Sequence, residues 1–236
     1  MKNVSILSSV LVALLACAGS NKNAATADTL KVNKVLSATE QARLTPDQVL
    51  ASLKQGNQAF TQANPELVRD AAKGQFPKAV ILSCLDSRVP VEEVFQRNIG
   101  DVFVARVAGN IVNPDILGSM EFACKVSGAK LIVVLGHGSC GAIKAAIDDV
   151  ELGNITGLLG KIKPAVAQAK VGFEGEAKSS NPEFVEKVCQ TNVAVMVNEI
   201  RQKSPILKEM EGNGEIKIVG GIYNMESGVV DFLENI

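Results

Sequence analysis

The sequence predicts an α/β fold: a central, mainly parallel β-sheet with helices on both faces, an N-terminal helical arm and a C-terminal hairpin. Three observations lead there. Short apolar runs at 79–83, 102–107 and 131–135 have strand length and are nearly continuous, as strands buried on both faces are. Segments of helical spacing alternate with them at the interval that joins parallel strands by crossover. Late in the chain, 216–223 and 229–233 form a hairpin pair joined through Glu226, Ser227 and Gly228.

The elements follow in order. Lys2 precedes a mostly apolar stretch from Val4 to Ala16, too short to span a bilayer and suited to a secretory signal over 1–17. Leu14, Leu15, Ala16 and Cys17 resemble a bacterial lipoprotein signal with Cys17 as the lipidated residue, while Ala16 and Ala18 also satisfy ordinary signal cleavage. Residues 18–44 are rich in Ala, Asn, Ser, Thr and Lys and read as a flexible tether. Thr45, Pro46 and Gln48 are a helix start, and Val49, Leu50, Leu53 and Phe60 share one face of a helix running to about residue 63. The run 79–83 follows Pro77 and stops at the polar Asp86, Ser87 and Arg88, so it ends in a loop. Ile116, Leu117, Met120 and Cys124 give 114–127 helical spacing, stopped by Gly128. A helix is expected over 141–150 after the third strand, and a long one over 182–203.

With 47% hydrophobic and 21% charged residues the chain has ordinary globular composition, and residues 45–236 are expected to form one catalytic domain. A formal charge of -1 and few aromatics exclude nucleic acid as a partner, and the membrane enters only through a lipid anchor. Five cysteines without dense regular spacing do not describe a disulfide scaffold. Cys124 and Cys189 sit among apolar residues of expected helices and read as buried free thiols, with a disulfide between them as the alternative in an exported protein.

The chemistry gathers in two segments, 83–88 and 136–141. They offer Cys84, His137 and Cys140, two thiolates and one imidazole at strand ends, a set suited to tetrahedral zinc with the fourth position open. His137 is the only histidine, and a lone histidine is more often a satisfied core or loop residue. Cys140, three residues on and at a helix start that favours a thiolate, reverses that preference. Without the neighbouring motif, buried thiols or a disulfide to each other would account for Cys84 and Cys140 as well as metal binding does. Zinc lowers the pKa of its bound water, so that hydroxide exists near neutrality and can attack an electrophilic carbon. Two thiolates neutralise the ion's charge, so another group must favour and orient that hydroxide. Asp86 is placed to accept the water's hydrogen bond, and Arg88 to keep Asp86 ionised, although as an isolated pair they would more often bracket a turn.

Cys84-x-Asp86-x-Arg88 followed by His137-x-x-Cys140-Gly141 resembles the signature of β-class carbonic anhydrases. The stretches 103–106, 108–110 and 121–123 resemble the family in order and approximate spacing, and the likeness covers about residues 45–233. It implies a zinc lyase that interconverts carbon dioxide and bicarbonate. Gln75 falls where the plant-type branch has a glutamine donating to bicarbonate, Phe103 and Phe122 fall where the family has pocket walls, and Gly141 joins them as a substrate-binding position. The resemblance further implies a homodimer or homotetramer whose first helix, about 45–63, packs on a neighbour, with the pocket at that boundary. Part of the family is switched off by bicarbonate in a pocket that uses a tryptophan. This chain contains no tryptophan and carries Gln75. Together with the leader, the resemblance describes an exported bacterial enzyme of the periplasm or anchored to the envelope. Alternatives are a same-scaffold hydrolase of another small linear molecule such as carbon disulfide, or an inactive zinc-binding module. The intact Asp86 and Arg88 argue against the second.

Overall fold

The structure is a computed structural model that describes residues 35–233 and 236. The leader 1–17 with Cys17, and residues 18–34 of the tether, lie outside the described residues. The chain divides into two units, one ending at Asn57 and one of Gln58–Ile236.

In the first unit, residues 38–41 of the segment read as tether form a helical turn, α1 (Ala38–Gln41). A capping box explains it: Glu40 N–H donates to Ser37 Oγ at 3.3 Å and Ser37 N–H to Glu40 Oε2 at 2.8 Å. The expected next helix is α2 (Pro46–Ala63). Its start is again reciprocal, with Gln48 N–H to Thr45 Oγ1 at 3.2 Å and Thr45 N–H to Gln48 Oε1 at 2.9 Å. Val49, Leu50, Leu53 and Phe60 along it are all exposed.

The second unit continues with α3 (Pro65–Ala71), β1 (Ala79–Ser83), α4 (Val91–Val94), β2 (Val102–Arg106) and α5 (Pro114–Glu121). After them come β3 (Leu131–His137), α6 (Gly141–Ile147), α7 (Gly153–Leu159), α8 (Lys163–Lys170), α9 (Pro182–Lys203), α10 (Pro205–Gly212), β4 (Lys217–Tyr223) and β5 (Val230–Leu233). The strands form one sheet in the order β2-β1-β3-β4-β5, parallel except for β5, which runs antiparallel to β4 as the hairpin requires. The predicted α/β architecture is therefore the observed one.

Four expectations are corrected. β2 is only half-buried, because it lies at the sheet edge with β1 on one side. β3 runs two residues further than expected, since Gly136 and His137 pair with Ile222 and Tyr223 of β4. The helix expected over 114–127 widens after Glu121 into a π-turn, Phe122–Val126, in which Ser127 N–H reaches Phe122 O. α6 stops at Ile147, before Asp149 takes φ 53°.

Alternation along the strands sends side chains to two cores. On one face Val80, Leu82, Ile132, Val134 and Ile218 pack with residues of α5, α6, α8, α9 and α10, among them Met120, Ile143, Val166, Met196 and Leu207. On the other, Ile81, Val133, Leu135 and Val219 gather with Val89, Val91 and Phe95 around α4. α9 comes close to the sheet because β3 offers it a glycine: a Cβ on Gly136 would lie 2.7 Å from Val193 Cγ2. Among the described residues no helix is long and apolar enough to cross a membrane.

Candidate metal centre

β1 and β3 are neighbours, and the chain leaves β1 toward β2 on one side and toward β3 to β5 on the other. The carboxyl ends of β1 and β3 therefore flank the point where strand order reverses, the place where open parallel sheets leave a crevice. Cys84 follows the last residue of β1, His137 is the last residue of β3, and Cys140 caps α6 after a turn in which Ser139 takes φ 53°. The sequence set Cys84 at the end of one strand and His137 and Cys140 at the end of another, and the fold brings the two ends together. Their ligand atoms all lie within 4.8 Å of one another, with Cys84, His137 and Cys140 only 4%, 1% and 2% exposed.

The donor set fits zinc. The two Sγ atoms are 3.9 Å apart and not joined, which excludes the disulfide alternative in this state. A tetrahedral zinc with bonds of about 2.3 Å sets two sulfurs about 3.8 Å apart. His137 Nδ1 stands 2.8 Å from Gly138 O, so that nitrogen carries the proton and Nε2 is left as a bare lone pair. Nε2 is buried and has no hydrogen-bond partner among the described residues, a costly arrangement unless a cation takes the lone pair. The thiols share one proton. The hydrogen bond from Cys140 holds Cys84 down to about 4 against the opposing effect of burial. The hydrogen bond to Cys84, followed by burial, pushes Cys140 well above the ordinary thiol range. A cation between the sulfurs relieves that conflict and lets both ionise.

Asp86 and Arg88 form the pair the sequence pointed to. Arg88 Nε donates to Oδ1 at 2.9 Å and Nη2 to Oδ2 at 2.7 Å, while the Arg88 backbone N–H donates to Oδ1 at 3.0 Å. These bonds, led by those of the guanidinium, hold the Asp86 carboxyl at about 2, with burial acting the other way. Asp86 Oδ2 also lies 3.9 Å from His137 Nε2, so the carboxylate faces the site as well as closing a turn.

The remaining positions divide. Phe103 and Phe122 meet edge to face at 6.3 Å and line a groove of about 750 Å³ with Val80, Val104 and Ile116, but none of the three ligands lines it. Phe122 is 49% exposed, and Gln75 is exposed in the segment before β1. No hydrogen bond joins Gln75 to the ligands among the described residues. Gly141 opens α6 beside Cys140, with open space where a Cβ would stand. Cys124 and Cys189 are buried free thiols, and burial raises them to about 11 and about 12.

Sequence reading missed how the ligand loop is held. Arg106 Nε donates to Cys84 O at 3.0 Å and Nη2 to Asp86 O at 2.5 Å, clamping the backbone between the ligand and the acid. Gly109 N–H donates to Cys84 Sγ at 3.3 Å, and Asn192 Nδ2 donates to Gly109 O at 2.9 Å. The one available signal was Asn192 itself, an amide inside the apolar stripe of α9 between Val188 and Met196.

Comparison with known proteins agrees with this geometry. A family profile described as carbonic anhydrase matches residues 79–230. Carbonic anhydrase 2 of Mycobacterium tuberculosis is 34% identical over 185 residues, 75% of this chain and 87% of that protein. The β-carbonic anhydrase CafA of Aspergillus fumigatus superposes with a TM-score of 0.68 at 29% identity, over 80% of this chain and 90% of that one. A structure from work on two tetrameric β-carbonic anhydrases of Sordaria macrospora superposes at 0.67 with 26% identity, over 78% and 94%.

Proposed function

This chain belongs to the β-class carbonic anhydrases, and from that premise we propose that it interconverts carbon dioxide and bicarbonate, with Cys84, His137 and Cys140 as zinc ligands. The observation that carries the assignment of ligands is the buried, partnerless Nε2 of His137 within 4.8 Å of two free thiol sulfurs. Zinc bound there supplies a hydroxide nucleophile near neutral pH. Each residue of the chain then has a distinct task. The Gly138 carbonyl fixes the His137 tautomer. Arg88 keeps Asp86 ionised and turned toward the site, where the carboxylate accepts a hydrogen bond and so orients the attacking oxygen. Arg106 holds the peptide between Cys84 and Asp86 in place. Because the only histidine is a ligand, the proton released on hydration leaves through buffer, water or carboxylates.

The active form is a dimer or a multiple of it. Exposed apolar residues along α2 support this, as does the position of Gln75, Phe103 and Phe122 outside the cluster of ligands, consistent with a substrate pocket completed by a second copy. The residues 1–17 support export, with Cys17 as the lipidated residue; intact mass of the protein isolated from its host tests that reading. For the activity, stopped-flow hydration of carbon dioxide by the protein, before and after chelation and readdition of zinc, is the experiment. Activity that falls with zinc and returns with it is expected. Hydration at full rate without zinc would reject the proposal.

A further inference from the structure

We propose that Asn192, on α9, is a positioning residue for the metal site: by holding the Gly109 carbonyl it fixes the backbone angles of Gly109, and so the direction of the N–H that donates to the Cys84 sulfur. The inference rests on the zinc reading above.

Gly109 is the least constrained kind of residue at a place where orientation matters. It sits at φ 70° and ψ 18°, a left-handed conformation that glycine adopts without strain and leaves as easily. Its N–H points at Cys84 Sγ, 3.3 Å away. Two contacts keep it there. On one side, Ile162 packs against its Cα so closely that a Cβ would lie 2.6 Å from Cδ1. On the other, the Asn192 amide holds its carbonyl at 2.9 Å. Asn192 is 1% exposed, and its Oδ1 has no hydrogen-bond partner among the described residues. Burying an amide half satisfied is a poor choice for packing alone, where Leu or Met would serve α9 better. The half that is satisfied fixes the carbonyl side of Gly109, one φ/ψ pair away from the N–H that reaches the thiolate.

A hydrogen bond to a thiolate favours the negative sulfur over the protonated thiol that competes with metal binding, and groups in this second layer tune metal affinity by about 10- to 100-fold. Asn192 is thus expected to raise zinc affinity without touching zinc. Met196, one turn further along the same helix, makes a matched control. Its Sδ accepts the Val112 N–H at 3.1 Å, a buried bond to a neighbouring loop that does not reach Cys84.

The full chain is tested as Asn192→Leu and Met196→Leu. Zinc affinity is measured by competition with a chromogenic chelator, and the sulfur-to-cobalt charge-transfer band is recorded after substitution with Co(II). Asn192→Leu is expected to bind zinc about tenfold more weakly and to shift the band to longer wavelength, because the sulfur lone pair rises once the N–H is lost. Met196→Leu is expected to lower the unfolding midpoint and leave affinity and band in place. Wild-type affinity and band in Asn192→Leu, or equal shifts in both variants, would overturn the proposal. A wild type that binds no zinc would reject the underlying zinc reading and this inference with it. Should Asn192→Leu not fold, the wild type loaded with ¹¹³Cd decides: a coupling between the metal and the Gly109 amide proton upholds the bond on which the proposal stands, and its absence overturns it.

Discussion

Replacing Arg88 by Ala separates orienting the reaction from holding the metal. The substitution removes two charge-assisted hydrogen bonds to Asp86, of 2.9 and 2.7 Å, and leaves the backbone N–H bond of 3.0 Å. Bonds to charged groups contribute about 1.5–3 kcal/mol each when protected. The Arg88 side chain is 57% exposed, however, against 16% for Asp86, so water replaces part of what is lost. A net loss of about 1–2 kcal/mol of orientation is expected, or about 5- to 30-fold in kcat. Zinc content should stay at the wild-type level, since neither residue is a ligand. The pH dependence should move as well. With Arg88 the Asp86 carboxyl is held at about 2, so it stays ionised across the neutral and mildly acid range. Any stability or activity that depends on that ionisation is present above the ordinary carboxylate range and lost only as pH falls through about 2. Without Arg88, burial is no longer offset by the guanidinium, and the acid limb should climb toward neutral pH. Stopped-flow hydration from pH 5 to 9, with zinc measured on the same samples, is the assay. Zinc lost as completely as in Cys84→Ser, or kcat within twofold of wild type with an unmoved acid limb, would refute the reasoning.

Other consequences are equally direct. Gly136→Ala places a methyl 2.7 Å from Val193 Cγ2 and should destabilise the fold by about 1–3 kcal/mol, read as a lower urea midpoint. With His137 committed as a ligand, turnover should rise with the concentration of an imidazole buffer, and a flat response would mean that another group relays the proton. Asp86 bound to Arg88, in a chain without tryptophan, predicts simple rather than sigmoidal inhibition by bicarbonate in a titration of the initial rate.

What the sequence disclosed was mostly what depends on neighbours along the chain. The box of Thr45 and Gln48, the strand Ala79–Ser83 and the helix Pro182–Lys203 all follow from local pattern, and the structure places them where that pattern put them. Cys84, His137 and Cys140 were legible because ligand chemistry demands few residue types and strand ends are where such sites form. What stayed hidden is set across the chain. Half-burial of β2 comes from its edge position, which no property of 102–107 encodes. The π-turn at Phe122–Val126 is invisible in the apolar spacing, which suggested a regular helix. Asn192 lies 83 residues from Gly109, so its purpose appears only once α9 packs on the loop after β2. The pocket roles expected of Gln75 and Phe122 rest on resemblance alone, since neither stands among the ligands.

The claim on which the rest depends is that two sulfurs and one imidazole nitrogen hold a zinc ion with one place left for water. X-ray absorption at the zinc edge of the active protein measures this directly. Two sulfur scatterers at about 2.3 Å and two nitrogen or oxygen scatterers at about 2.0–2.1 Å are expected, with Cys84→Ser losing both the metal and the hydration activity. An active protein that contains no zinc, or whose zinc is surrounded by a different number of sulfurs, would contradict it.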